Sequence, residues 1–286
     1  MSTETQKFGA LIRFIDQPPA VLYHYTSMEG LLGILESGTI WATDIRYLND
    51  KSEMTHLWDL VKIRIQQKLE DEKTPDRDFL KELLTGGGSL NVFVSCFSED
   101  GDSLSQWRAY CPGGSGFSVG FHSAALGGIE FGKGFKQLVR VRYLADEAGA
   151  SVDEVLQYAK AMANVTVSVN LVPGQPLTIG QAARGALSAV APRFKHGAFA
   201  EEHEWRLILQ VINQPGVGRK FRAGKSTLIP YVDVQLQAKD SFFIKEVIVG
   251  PTPETSLSVT SVNVLFQSIN QPGVVVRESK VPYRVW

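Results

Sequence analysis

Cysteine is scarce in this chain: Cys96 and Cys111 are the only two among 286 residues. Two thiols build no disulfide framework, and neither stands at ligand spacing from a partner. The five histidines (His24, His56, His122, His196 and His203) lack paired ligand spacing as well, so no metal is expected. A surplus of one charge is also missing. With 29 basic and 30 acidic residues the formal net charge is −1, which implies no bulk attraction to nucleic acid or to an anionic membrane and leaves room only for a local basic groove. No apolar run approaches membrane-spanning length. The first residues lack a basic region followed by an apolar stretch, so no secretory signal is read there. The expectation is a cytoplasmic protein without a membrane partner. Glycine is plentiful, at 26 residues, yet badly placed for phosphate loops. Gly86-Gly87-Gly88 precedes a strand pattern, and Gly113-Gly114-Ser115-Gly116 lacks the strand-to-helix setting of a dinucleotide fingerprint.

What remains is ordinary globular composition, 44% hydrophobic and 21% charged, with one rich local signal near the start. Residues 22–25 read as a strand. A helix then begins at Thr26, where Thr26-x-x-Glu29 has the form of a capping box. Leu31, Leu32, Ile34 and Leu35 supply its buried face, Gly38 a left-handed stop, and residues 39–43 the next strand. This unit sets His24 and Tyr25 at a strand end beside a helix N-terminus, a good place to hold a polar ligand. The loop Asp44-Ile45-Arg46-Tyr47-Leu48-Asn49-Asp50 is richer in hydrogen-bonding groups than a connector requires. Asn49 or Asp50 could cap the following helix or touch a ligand.

Helices are predicted over 52–70 and 78–84. A strand over 91–97 puts Val92, Val94 and Cys96 on one face, with Phe93, Ser95 and Phe97 on the other. A short helix over 103–110 turns Leu104 and Trp107 inward and can aim Arg108 or Tyr110 at a site. Strands follow at 117–121 and 137–143, then a helical middle over 152–190 broken near Pro173 to Pro176. Later strands are expected at 207–212, 227–233, 243–249, 273–277 and 283–286, with a helix over 254–269. Strands in both halves without strict alternation argue for a mixed α+β fold. It is read as a single domain over 20–286, with a helical insert at about 150–192 and a lead-in over 1–19.

Glu204 stands just before the strand expected at 207–212 and after a loop holding Phe199, Glu201 and Glu202. A carboxylate at a strand mouth can bind ribose hydroxyls, or stabilise the oxocarbenium-like charge that builds as an N-glycosidic bond breaks. It can instead form a structural ion pair with Arg206 or Arg108, the reading that residue types alone favour, and Arg206 can clamp a phosphate or hold a carboxylate. No base marks either cysteine as a nucleophile.

Leu22-Tyr23-His24-Tyr25-Thr26-Ser27, Gly33-Ile34-Leu35-Glu36-Ser37-Gly38 and Arg46-Tyr47-Leu48-Asn49-Asp50 together resemble a widespread, largely bacterial family of unknown function. The blocks at Ser95 to Glu99, Ser103 to Tyr110, Glu202 to Arg206, Val249 to Pro251 and Val281 to Arg284 extend the resemblance in the same order. The opening unit is in turn similar to ADP-ribosyltransferases of the DNA-modifying toxin type. That resemblance implies a split β-sheet with flanking helices and NAD as substrate. His24 would position the dinucleotide, Tyr25 and Thr26 would touch it, and Glu204 would be the catalytic glutamate, with Glu202 two residues upstream. Tyr47 or Tyr110 would stack on nicotinamide, and Asn49, Ser95 and Ser98 would join the NAD contacts. Arg108 or Arg206 would neutralise pyrophosphate, and the loop from Lys195 to Glu201 would recognise the acceptor. The acceptor would be a nucleic-acid base or a protein side chain. A toxin or anti-phage role, with an antitoxin or immunity partner, follows from the resemblance alone. Two rivals stand beside it: a non-catalytic nucleotide or nucleic-acid sensing module, and a magnesium nuclease using Asp44, Asp50, Glu202 and Glu204.

Overall fold

A computed structural model of the chain describes residues 16–48, 55–85, 91–111, 116–127, 135–145, 149–168, 177–211, 218–236 and 243–283. Outside the described residues lie most of the lead-in, Asn49 and Asp50, the helix start expected at 52 and the Gly86–Gly88 run. The cluster from Gly113 to Ser115, Pro173 to Pro176 and residues 284–286 lie outside them too.

β1 (Val21–Thr26) runs into α1 (Met28–Ser37) and β2 (Thr39–Asp44). The helix starts one residue later than its capping pattern suggests. Thr26 pairs with Phe117 in the last rung of β1, which commits its backbone to the sheet. Ser27 is the cap instead, its Oγ accepting from the Gly30 N–H at 3.1 Å. Thr26 packs its hydroxyl over Gly30, where an added Cβ would meet Oγ1 at 1.9 Å. Gly38 closes the helix at φ 61°. Leu31 and Ile34 are buried, but Leu32 is exposed, because so short a helix lying on a sheet buries one narrow stripe.

A 3₁₀ turn, Ile45–Tyr47, follows β2. Then come α2 (His56–Glu70), α3 (Arg77–Leu84), β3 (Asn91–Ser98), α4 (Leu104–Tyr110), β4 (Phe117–His122) and α5 (Ser123–Gly127). In α4 Trp107 is buried, whereas Leu104, expected inside, is exposed at the helix start. The single strand expected over 137–143 is two strands, β5 (Phe135–Arg140) and β6 (Arg142–Leu144). They part at Val141, because β5 joins β8 while β6 leaves for β7. α6 (Gly149–Ser168) and α7 (Ile179–Val190) form the helical middle. β7 (Phe194–His196), a 3₁₀ turn (Gly197–Glu202) and β8 (Glu204–Val211) follow, so β8 takes in Glu204 as its first residue. β9 (Lys220–Ala223), not among the expected strands, pairs with β10 (Leu228–Gln235). The chain then gives β11 (Ile244–Val249), α8 (Thr255–Ser268) and β12 (Val275–Glu278).

The fold is mixed α+β. Among the described residues ten strands join in one sheet, in the order β12-β11-β4-β1-β3-β2-β10-β9, with β8 also on β3 and β5 on β8. β11 and β12 are parallel and the other pairs antiparallel. Leu22, Leu31, Ile34, Phe93, Phe97, Phe121 and Trp205 centre its main core. A second core, with Leu57, Ile65, Leu80, Leu156, Leu187 and Phe194, joins α6 and α7 to α2 and α3. The helical middle therefore packs on helices from residues 56–84 as well as on itself. No helix among the described residues is long and apolar enough to cross a membrane.

β3 carries the feature that shapes the site. One of its edges pairs with β8 from Asn91 to Ser98. Its other edge meets β2 at Phe93 and Val94, then β1 at Ser98. Between those rungs β1 and β2 diverge, and Ser95 to Phe97 have no ladder partner on that side. The sheet is open there.

Candidate functional site

A cleft of about 680 Å³ occupies this opening. β1 contributes His24, Tyr25 and Thr26, β2 contributes Ile40, Trp41 and Thr43, and β3 supplies Val94, Ser95 and Cys96. The start of α1 closes one side with Ser27, Glu29 and Gly30. Tyr110, Lys195, Phe199, Glu202 and Glu204 close another, and Tyr47, Leu48 and Arg222 complete the wall.

Two side chains mend the broken ladder. The His24 Nδ1 lies 2.9 Å from the Cys96 carbonyl oxygen, which can only accept, so Nδ1 carries the proton and Nε2 is an acceptor. Burial lowers the His24 pKa and outweighs the opposing pull of that carbonyl, so the ring is neutral. The Ser95 Oγ donates to the Trp41 carbonyl at 2.9 Å. Tyr25 is fixed by donating to the Asp100 carbonyl at 2.8 Å and accepting from the Ser103 N–H at 2.9 Å.

Across the cleft stands a cluster of buried ions. Glu204 is 4% exposed. Its Oε1 accepts from the Arg206 Nε at 2.7 Å, and its Oε2 from the Arg206 Nη2 at 3.0 Å and the Lys195 Nζ at 3.1 Å. Burial by itself would raise its pKa. The charges of Arg206 and Lys195 override that and hold it at about 2. Lys195 also donates to Glu202 at 2.7 Å and sits 4.7 Å from the centre of the Phe199 ring. Tyr110 borders the cluster, and burial together with the nearby negative charges keeps its phenol protonated. The Tyr143 hydroxyl, pushed up to about 12 by burial, accepts from the Glu204 N–H at 2.8 Å. Near neutral pH Glu204 is thus a fixed, fully engaged carboxylate that can stabilise positive charge and is a poor proton acceptor.

Of the residues named from sequence, His24, Tyr25, Thr26, Tyr47, Ser95, Tyr110, Lys195, Glu202 and Glu204 line this one cleft. Others are elsewhere. Ser98 ties two loops, donating to the Glu202 carbonyl at 2.8 Å and accepting from the Asp100 N–H at 3.1 Å. Arg108 is exposed and stacks 5.3 Å from the centre of the Tyr283 ring. Arg206 lies behind Glu204, with its Nη1 donating to the Pro192 carbonyl at 2.8 Å. Glu201 is exposed, and Asn49 lies outside the described residues. Asp44 is held by Arg46 at 2.6 Å. Among the described residues no three His, Cys, Asp or Glu side chains gather to hold a metal ion, so Asp44, Glu202 and Glu204 form no ligand set.

Sequence reasoning missed Trp41 and Arg222. Both had a signal. Trp41 lies in a strand that was read correctly, on the face opposite the buried Ile40 and Ala42. Arg222 belongs to Lys220-Phe221-Arg222-Ala223 just before Gly224, a short strand entering a hairpin turn.

Residues 106–207 match the family model described as "Protein of unknown function (DUF2971)". The matched stretch runs from Gln106 in α4 to Leu207 in β8. It contains Tyr110, Lys195, Glu202 and Glu204, the ionic side of the cleft, while the His24 side lies before it. No curated protein matches the chain.

Proposed function

We propose that the chain is an ADP-ribosyltransferase-like enzyme that binds NAD in the sheet opening and cleaves its bond to nicotinamide. What carries the reading is that His24 on β1 and Glu204 on β8 line one cleft, at the place where the sheet parts. As the glycosidic bond breaks, positive charge develops on the ribose, and a carboxylate that is already ionised lowers that barrier without needing to move. His24 presents a neutral acceptor suited to a ribose hydroxyl, and Tyr47 or Tyr110 provides an aromatic face for the nicotinamide ring. The ADP-ribosyl group is transferred to a nucleobase or a protein side chain. Glu202 is the better candidate to receive the acceptor's proton, because its side chain is less enclosed than that of Glu204.

The test is nicotinamide release from NAD by the purified chain, with DNA, RNA and a lysate offered in turn as acceptors. Glu202→Gln and Glu204→Gln are compared after each is shown to be folded. Release by the wild type that is lost in a folded Glu204→Gln supports the reading, whereas full release by that variant removes Glu204 from the chemistry. A second reading has its own observation. Both Glu204 oxygens are already taken by Arg206 and Lys195, which suits a cleft that binds a nucleotide without cleaving it. NAD binding by titration with no nicotinamide released would favour that sensing module.

A further inference from the structure

The wall of the cleft opposite the ionic cluster carries a guanidinium with little to hold it. Arg222 sits on β9 and reaches across β10 to β2, where its Nη2 makes one long contact to the Thr43 hydroxyl at 3.4 Å. Its Nε is buried and has no hydrogen-bond partner. No carboxylate among the described residues pairs with it. The other cation lining the cleft, Lys195, is committed to Glu202 and Glu204. A buried N–H without an acceptor costs stability unless something that binds there supplies one.

Trp41 supports this side chain from below. The Arg222 Cζ stands 5.8 Å from the centre of the Trp41 ring, and Trp41 in turn packs against Tyr231 at 4.5 Å. A guanidinium laid on an aromatic face keeps its planar fork free for an anion. Trp41 is nevertheless 46% exposed, so this wall is open to the cleft.

We propose that Arg222 is the residue of this cleft that binds the pyrophosphate of the dinucleotide, with Trp41 positioning it. The inference rests on the reading of the cleft as an NAD site. Arg222 takes the role from Arg108 and Arg206, since the first stacks on Tyr283 away from the cleft and the second is spent on Glu204 and the Pro192 carbonyl. Phosphate oxygens would give the buried Nε the acceptor it lacks, and the fork would meet them in two places.

The experiment titrates the full chain, wild type, Arg222→Gln and Arg222→Lys, with NAD, ADP-ribose, inorganic pyrophosphate and nicotinamide riboside. Melting curves check the fold of each variant. Wild type is expected to bind NAD and ADP-ribose more tightly than nicotinamide riboside, which has no phosphate. Arg222→Gln is expected to weaken NAD and ADP-ribose by about ten- to a hundredfold, the loss of a charged hydrogen bond, and to leave nicotinamide riboside unchanged. Arg222→Lys should fall between, since it keeps the charge and loses the fork. Pyrophosphate that competes with NAD in the wild type and not in Arg222→Gln supports the same assignment. NAD binding that is equal in wild type and Arg222→Gln, or a loss that is the same for all ligands, overturns the role of Arg222 alone. A wild type that binds neither NAD nor ADP-ribose overturns the NAD reading and this inference with it.

Discussion

At the scale of single residues, Glu204 decides how the site can be tested. Its charge is compensated before any ligand arrives, so Glu204→Gln leaves Arg206 and Lys195 buried with a weaker partner. Side-chain shape alone suggests intact folding for that variant. The bidentate pair predicts instead a loss of about 3 kcal/mol, measured by urea unfolding. The sign with pH follows from its folded pKa of about 2 against the ordinary 4.5. Its contribution is fully present above pH 4.5 and is lost as pH falls toward 2, so acid should destabilise the wild type more steeply than Glu204→Gln across that window. His24 behaves differently. Burial holds its folded pKa below the ordinary 6.5, so the unfolded chain takes up the proton first. Stability therefore declines as pH drops below 6.5, and His24→Gln should flatten that decline when urea midpoints are compared at pH 7 and below.

At the scale of elements, the junction of β1 and α1 is closely packed. Gly30 leaves room for the Thr26 hydroxyl, and Gly30→Ala would place a Cβ 1.9 Å from it. The expected cost is about 1–3 kcal/mol. Because Thr26 and Ser27 line the cleft, weaker ligand binding should accompany it. Made on a Thr26→Ala background, the same change should cost less, since the nearest remaining Thr26 atom would be 3.2 Å away. Melting temperatures of the four proteins check this. The helical layer has a separate role. Leu187 is 1% exposed in the core that α6 and α7 share with α2 and α3, and Leu187→Ala should cost about 3 kcal/mol through the cavity it leaves. No residue of α7 lines the cleft, so ligand affinity measured by titration should stay within about twofold.

For the molecule as a whole, a near-balanced charge leaves attraction to an anion to the local arrangement of the cleft. If the acceptor under the proposed reading is a nucleic acid, its binding should accordingly show a shallow salt dependence, the equivalent of about one or two phosphates neutralised. Titration of an oligonucleotide at several salt concentrations checks it, and a slope as steep as that of a basic groove would point to a surface away from this wall. The sequence by itself determined the β1–α1–β2 unit, the Gly38 stop, the strand character of β3 and the mixed α+β class. Each of these depends on neighbours a few residues apart, on backbone preference, capping and the period of apolar side chains. It also pointed to His24, Tyr110 and Glu204, which stand at the ends of elements whose type was legible, whereas Lys195 was expected in a loop and lies in the short strand β7. Only the tertiary structure decided which of them meet, and how. The His24 contact to Cys96 spans 72 positions and the Ser98 contact to Glu202 spans 104, distances over which no local preference acts. The parting of β1 from β2 over β3, the engagement of Glu204 by two cations, the departure of Arg108 to Tyr283 and the entry of Arg222 all follow from strand pairing and burial. Those are properties of segments brought together by packing, and a residue's nearest neighbours in the chain do not encode them.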